Sequence, residues 1–477
     1  MSSPPPPAAA VPADDAVELG TARGRWVVLA TVLASGVAFL DATAVNVALP
    51  TIGAELGASL AALQWTVNGY TLTLAALILL GGALGDRYGR RRVFVIGVVW
   101  FALASLLCGL AQDTAQLVAA RALQGVGGAL LTPGSLAILQ ASFRPQDRAR
   151  AIGLWSALGG IAGLVGPFVG GFLVDAVSWR WVFGVNVPLA AAVAVVAVRH
   201  VPESRDPDAH GRFDVLGSIT GAVALGGVTY ALIAAGDDPG TAAVWTSAAI
   251  GVAAAAAFVV RERRAAAPML PLGVFADRQF TGANLSTLAV YGALGGFSFF
   301  LVLQLQTVLG YGATLAGAAS LPPSILLTLL SARAGALAQR IGPRLPMTVG
   351  PLVAATGLAW LSAVDAGSGY WSAVFPGSVL FGLGMALLVA PLTATVLAAA
   401  PDHLAGVASG VNNAVARAAG LLAVAALPVA VGLSAGGELG ATDFSAGYQR
   451  ALLICAGLMV AGAGTAWATI RNDVLHD

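Results

Sequence analysis

Asp41, Arg121 and Arg417 stand in stretches that otherwise carry almost no charge. Asp41 occurs in Phe39-Leu40-Asp41-Ala-Thr43-Ala-Val-Asn46, Arg121 in Arg121-Ala-Leu-Gln124-Gly125, and Arg417 follows Asn412-Asn413. A carboxyl in such a setting is costly unless it is protonated, paired or facing water, so it marks a functional site by default. Removal from water favours its neutral form, which suits a group that takes up and releases a proton. Arginine keeps its proton in a protein and needs a partner. Asp41 and Arg121 fall at comparable expected depth in neighbouring apolar stretches, which makes Arg121 the candidate to tune Asp41, directly or through Gln124 and water. The competing readings are a carboxyl satisfied by Thr43 or backbone donors, and an arginine that snorkels outward. Arg417 could attract an anion, act as counter-charge to a coupling carboxylate, or simply bond between helices. Asn46, Asn68, Gln124, Asn284, Tyr291, Gln304, Asn412 and Asn413 join Arg417 as candidate lining of a substrate cavity.

The elements that must position these residues are membrane spans. Hydrophobic residues make up 58% of the 477 and charged residues 10%, which excludes a soluble domain. A span needs roughly 20 apolar residues, and fourteen such stretches occur, at about 26–48, 62–84, 93–111, 115–139, 151–174, 181–198, 214–236, 241–260, 279–304, 313–336, 346–364, 371–396, 404–431 and 448–470. If they alternate, most arginines fall on one side, among them Arg87, Arg90, Arg91, Arg92, Arg144, Arg261 and Arg344, while the other side holds mainly acids such as Glu55, Asp113, Asp175 and Asp365. Positive charge marks the cytoplasmic side. The expected arrangement is thus a multi-pass protein of the inner (cytoplasmic) membrane with both termini in the cytoplasm.

Two internal echoes define the organisation. Gly82-Ala-Leu-Gly-Asp86-Arg87-Tyr-Gly89-Arg90-Arg91 after span two is matched by Gly335-Ala-Leu-Ala-Gln339-Arg340-Ile-Gly342-Pro-Arg344 after span ten. Gly125-Val-Gly127-Gly-Ala-Leu-Leu in span four is matched by Gly382-Leu-Gly384-Met-Ala-Leu-Leu in span twelve. Parallel repeats of this kind are expected for two bundles related by an axis along the membrane normal. The reading is a disordered cytoplasmic tail 1–25, a six-helix bundle 26–198, a linker 199–213, two inserted helices 214–260, a linker 261–278, a second six-helix bundle 279–470 and a short tail 471–477.

Two further motifs bear on movement. The turn formed by Gly82, Asp86, Arg87, Gly89, Arg90 and Arg91 is a candidate cytoplasmic gate, its charges pairing with each other and with helix ends of the opposing bundle. Gly163, Gly166, Pro167, Gly170 and Gly171 in span five are a candidate outer-gate hinge, because small residues allow close approach and proline removes a backbone bond; plain helix packing explains them as well. Gly432-Leu-Ser434-Ala-Gly436 fits a hydrolase elbow only in form, since it lacks the preceding strand. The absence of lysine rules out a phosphate-binding loop of the Gly-Lys-Ser/Thr kind. Nothing in the net charge of +1 suggests nucleic acid, and the four histidines are expected at the cytoplasmic side, away from any metal site within the spans.

These residues resemble the major facilitator superfamily, and within it the fourteen-span drug:proton antiporters. The Gly82–Arg91 turn is similar to that superfamily's signature between spans two and three. The stretch from Leu40 to Pro50 is similar to the fourteen-span first-span motif, and Arg121-Ala-Leu-Gln124-Gly125 to the span-four motif tied to proton coupling. Gly166-Pro167-Phe-Val-Gly170-Gly171 is similar to the antiporter motif of span five, with Ala162 in place of an upstream glycine. Ser178-Trp179-Arg180-Trp181-Val-Phe-Gly-Val-Asn186-Val-Pro188 also fits the fourteen-span group. The resemblance implies an all-α integral membrane protein with the major-facilitator fold, 14 transmembrane helices in two six-helix bundles plus two inserted. It implies a non-enzymatic, proton-coupled antiporter that exports amphiphilic small molecules such as drugs and antibiotics. No cofactor is expected beyond the proton gradient as energy source; the partners are the bilayer, protons and the substrate, and the chain is expected to act as a monomer. The alternatives are a dedicated exporter of one metabolite or lipid and, more distantly, a transport-dead sensor or a membrane-embedded enzyme.

Overall fold

The computed structural model describes residues 17–206, 214–265, 270–401, 404–433 and 441–474. Most of the tail 1–25, parts of both linkers, the Ser434–Gly436 stretch and three of the histidines lie outside them.

Among the described residues the fold is helical. The helices are α1 (Ala22–Leu56), α2 (Leu60–Tyr88), α3 (Arg90–Leu110), α4 (Thr114–Ser142), α5 (Pro145–Ala176), α6 (Arg180–Gly184), α7 (Asn186–His200), α8 (Val215–Ala234), α9 (Ala242–Arg264), α10 (Arg278–Leu303), α11 (Ala313–Ala319), α12 (Leu321–Ile341), α13 (Arg344–Leu361), α14 (Phe375–Ala398), α15 (Ala405–Ala430) and α16 (Ala441–Thr469). Lipid leaves backbone groups no water to bond with, so apolar segments of this length close their bonds internally. Helix starts are capped where the chain leaves the apolar zone: the Asp113, Asp214 and Asp277 side chains accept from the amides of Gln116, Gly217 and Phe280. Large apolar side chains such as Trp245, Trp371, Leu110 and Val252 stand exposed around the outside, as on a surface meeting acyl chains.

Among the described residues, thirteen helices are long and apolar enough to cross a membrane. Span eleven of the sequence reading is α13, which is shorter and less apolar: it opens on Arg344 and carries Pro346, Thr348, Pro351 and Thr356. It nevertheless packs against α14 and α16 inside the second bundle and completes fourteen. Span six is two helices, α6 and α7, and span ten is α11 followed by α12. Several helices outrun the apolar stretches. α1 continues past Pro50 to Leu56, and the described part of α16 already begins at Ala441.

The N-terminal tail is not wholly disordered. Val17 is buried, its amide donates to the Ser142 carbonyl (2.8 Å), and the Leu19 amide donates to Asp147 Oδ2 (3.1 Å). Glu18 pairs with Arg144. The polar composition of the tail concealed this, because the ordering rests on the burial of Val17, on backbone amides and on the Glu18–Arg144 pair.

In the first bundle α1 packs on α5 and α7, α2 on α4, and α3 on α4 and α7. In the second, α10 packs on α15 and α16, α12 on α14, and α13 on α14 and α16. The inserted pair α8–α9 lies beside the seam where α2 meets α15. The internal repeat reaches the backbone. Gly89 and Gly342 both take positive φ, at 112° and 83°, which favours glycine. A Cβ on Gly89 would meet the Glu203 carboxyl, and one on Gly342 would overlap Asn472. Each glycine is covered by the segment that follows the last helix of its own bundle.

Candidate functional site

Asp41 sits midway along α1 and Arg121 two turns into α4. Helix pairing brings them into contact: Arg121 Nη1 donates to Asp41 Oδ2 at 2.6 Å, with the two side chains 2% and 0% exposed. Asp41 Oδ1 accepts from Gln124 Nε2 (2.8 Å) and from Asn186 Nδ2 (2.9 Å). Arg121 also donates from Nε to the Thr66 carbonyl (3.0 Å) and from Nη1 to Gln124 Oε1 (2.6 Å). Ser105 accepts from Gln124 at 2.8 Å and from Asn186 at 3.4 Å. The guanidinium lies over the Tyr70 ring at 4.4 Å and near the Phe183 ring at 5.8 Å. The cluster thus draws on α1, α2, α3, α4, α6 and α7.

Of the settings open to Asp41, protonated, paired or facing water, the structure shows the paired one, with Arg121 in direct contact. The carboxyl lies inside the first bundle, and its three donors account for both oxygens. Thr43 does not satisfy it, since that hydroxyl donates back to the carbonyls of Phe39 and Leu40. An isolated buried charge is strongly disfavoured, but a pair whose remaining lone pairs are bonded is sustainable. Gln124, expected both as a link between Asp41 and Arg121 and on a cavity wall, is fully buried in this cluster and bonded to both. Asn186, Ser105 and Thr66 were not singled out as site residues by sequence reasoning; only Asn186 sat in a quoted motif, and nothing there marked it as a ligand of Asp41.

The seam between the bundles differs at its two ends. At the acidic end direct bonds join them. Gln64 Nε2 on α2 donates to the Val424 carbonyl of α15 (2.7 Å), and Gln306 Nε2 donates to the Val47 carbonyl of α1 (2.8 Å). Asp175 accepts from the amides of Ala313 (3.1 Å) and Thr314 (2.8 Å) at the start of α11. The span-five glycines fit here. Gly166 abuts Thr43 and Gly170 abuts Ala44, so α5 lies close on α1. Gly171 lies against the Ala313 carbonyl, and Pro167's carbonyl lies against Gly317 of α11. Gly163 faces open space.

At the arginine-rich end, Arg90 pairs with Asp86 at 2.7 Å. Glu203 accepts from the Arg91 amide (3.0 Å), and its carboxylate lies 3.7 Å from Arg91 Nε. The amide of Arg90 donates to the Ser204 carbonyl, and that of Asp206 to the Asp86 carbonyl, both at 2.8 Å. The expected bonds from Asp86, Arg90 and Arg91 to helix ends of the opposing bundle are replaced by bonds to segment 201–206, because that segment leaves α7 directly over the turn.

The remaining candidates divide. Asn412 donates to Asn284 Oδ1 (3.2 Å) and Thr287 Oγ1 (2.8 Å), linking α15 to α10. Asn413 is exposed and donates to its own helix. Asn46 and Tyr291 are half-buried. Asn68 is fully buried with neither amide atom bonded, and Arg417 Nε is buried without a partner. Gln304, expected in the cavity, is instead fully buried in the second bundle, donating to the Val364 carbonyl at 2.9 Å.

Residues 31–424 match the family profile of the Major Facilitator Superfamily. The chain belongs to that superfamily. As a member it is a multi-pass membrane transporter and not an enzyme. Among relatives, it is 36% identical to a puromycin resistance protein of Streptomyces alboniger, over 98% of this chain and 95% of the relative. It is 38% identical to the multidrug resistance protein Stp of Mycobacterium tuberculosis (81% and 72% covered). It is 36% identical to a tetracenomycin C resistance and export protein of Streptomyces glaucescens (85% and 76% covered). Among solved structures, a bacterial homolog of the human lysosomal transporter Spinster superposes with TM-score 0.67 at 18% identity, covering 94% of this chain and 97% of that one. A D-xylose–proton symporter gives 0.67 at 15%, covering 94% and 98%. These two likenesses bear on the fold of this major facilitator alone.

Proposed function

We propose that this chain is a proton-coupled antiporter of the fourteen-span drug:proton kind, exporting amphiphilic small molecules across the cytoplasmic membrane by alternating access. The arginine-rich face is cytoplasmic on the positive-inside rule, with both termini on that side. The bonds joining the bundles at the acidic end then close the outside.

The observation that carries the reading is the buried Asp41–Arg121 pair, reached from the seam through Tyr70. With Asp41 ionised, Arg121 is held at 2.6 Å and the first bundle is locked around it. Protonation removes the charge that holds Arg121 and frees the guanidinium to move along the Tyr70 face. Asp41 takes its proton from outside in the outward state, and the protein relaxes inward. Substrate arriving from the cytoplasm favours re-formation of the pair and release of the proton. The membrane field drives the cycle, since one charge crossing 100 mV gains about 2.3 kcal/mol. No cofactor takes part.

The names of the relatives support export of antibiotics as the biological task. A second reading, a dedicated exporter of one metabolite, is favoured by relatives named for single compounds, puromycin and tetracenomycin C. Proteoliposomes with an imposed pH gradient and a panel of chemically varied amphiphiles test both. Gradient-driven uptake of several unrelated compounds supports the first, and uptake of a single scaffold supports the second. Uptake that ignores the gradient would refute proton coupling.

A further inference from the structure

Arg417 is a permanent cation without a partner. It lies midway along α15, its Nε is buried, and it forms no hydrogen bond or ion pair among the described residues. The titratable groups within its electrostatic reach are Tyr70 and Tyr291, neither of them a carboxylate. Arg417 as a residue is half-buried; its guanidinium cannot shed its charge, and a buried donor left unpaired costs free energy. Arg121, by contrast, has five bonds or ring contacts to protein. Among the described residues nothing balances Arg417, which points to an occupant from outside the chain.

Asn68 is a second, independent observation. It is 0% exposed, and both atoms of its amide lack a partner. α2 and α15 run antiparallel along the seam, fixed at one end by Gln64 on Val424 and at the other by Leu79 against Gly410, where an added Cβ would lie at 2.7 Å. Arg417 lies midway between these points and Asn68 one turn in from the first. Around Arg417 the helix carries Ala414, Ala416, Ala418, Ala419 and Gly420, which leave room beside it. Tyr70 and Tyr291 bring a ring from each bundle. Tyr70 also stacks on Arg121, so an occupant at Arg417 is one side chain away from the Asp41 pair.

We propose that Arg417 and Asn68, with Tyr70 and Tyr291, form an anion-recognising subsite that takes the carboxylate of an aromatic amphiphile. A planar guanidinium binds a carboxylate through two parallel bonds, the Asn68 amide supplies a further donor, and the two rings suit a flat apolar body. This rests on the export reading and names its cargo class.

The test is equilibrium binding by calorimetry to the purified full chain in detergent. The probes are two-, three- and four-ring arene carboxylates, each with its neutral amide and its methylammonium counterpart. In the wild-type chain the carboxylates bind about tenfold or more tightly than the amides, as expected for charged hydrogen bonds, and the methylammonium compounds bind most weakly. Arg417→Gln lowers carboxylate affinity to the level of the amides, while Arg417→Lys keeps part of the preference. Arg417→Gln also melts no lower than wild type without ligand, because it removes a buried Nε donor that has no partner. Amides or ammonium compounds that bind as well as carboxylates would overturn the proposal. So would a panel with no binder, or a preference that survives Arg417→Gln. Because binding is read without a gradient, a failure of proton coupling shows up in a different experiment.

Discussion

Gly317→Ala should prise open the acidic end of the seam, the outer end on the proposed orientation, without unfolding the transporter. A Cβ at Gly317 would overlap the Pro167 carbonyl oxygen, closer than the 3.0 Å that real Cβ contacts respect. The obstacle is backbone on the opposing bundle, so neither partner can yield by changing rotamer. Overpacking of this sort costs typically about 1–3 kcal/mol. The strain exists only while α11 is pressed on α5, so separation of the bundles relieves it. That energy shifts the closed–open balance roughly 5–150-fold toward the outward state. The assay is alkylation of Val47→Cys by a membrane-impermeant maleimide applied from outside. Val47 is 1% exposed and its carbonyl accepts from Gln306 across the seam. Cys108 and Cys455, both buried, give the background. Labelling should rise at least about fivefold in Gly317→Ala. It should not change in Gly163→Ala, where a Cβ meets nothing within 4 Å. A labelling rate equal to that of the Val47→Cys parent would refute the claim that this contact seals the outer end.

Other perturbations test other contacts. Asp41→Asn and Arg121→Gln should each destabilise the detergent-solubilised protein by about 3–5 kcal/mol, and the double variant by much less than the sum; additive losses in denaturant unfolding would deny the pair any energetic role. Asp175→Ala removes a charged acceptor from two amides of α11 and should loosen the outer seal by about 1.5–3 kcal/mol, raising labelling of Val47→Cys without the steric strain of Gly317→Ala; unchanged labelling counts against it. Asp86→Asn breaks an ion pair with Arg90 that is 39% exposed on the Asp86 side, so stability should change by under about 1 kcal/mol; a loss of several kcal/mol by the same unfolding assay would mean the turn is buried in the working protein.

Much of this arrangement is legible in the sequence, for physical reasons. Arginine placement fixes the alternation of spans, and a carboxylate and a guanidinium in apolar stretches leave each other as the natural partner in the same bundle. The echo between Gly89 and Gly342 extends to backbone conformation. What stays hidden is which face of each helix meets which neighbour. A helix that is apolar all round gives no stripe to read, so Asn186 and Ser105 look like incidental polar residues until α3 and α7 pack behind Asp41. The same blindness puts Gln304 on a cavity wall when it lies inside a bundle. The partners of the Gly82–Arg91 turn depend on where segment 201–206 runs after α7, which no local pattern encodes. α13 is marginal because its prolines and Arg344 dilute an apolar run that only its neighbours make into a span.

The central claim is that Asp41 carries the exchanged proton. Detergent-purified protein in weak buffer with a pH indicator, mixed with an amphiphile found to be transported, measures this directly. The account predicts a pulse of released protons from the wild-type chain and none from Asp41→Asn at equal substrate occupancy. An equal pulse from both proteins would contradict it.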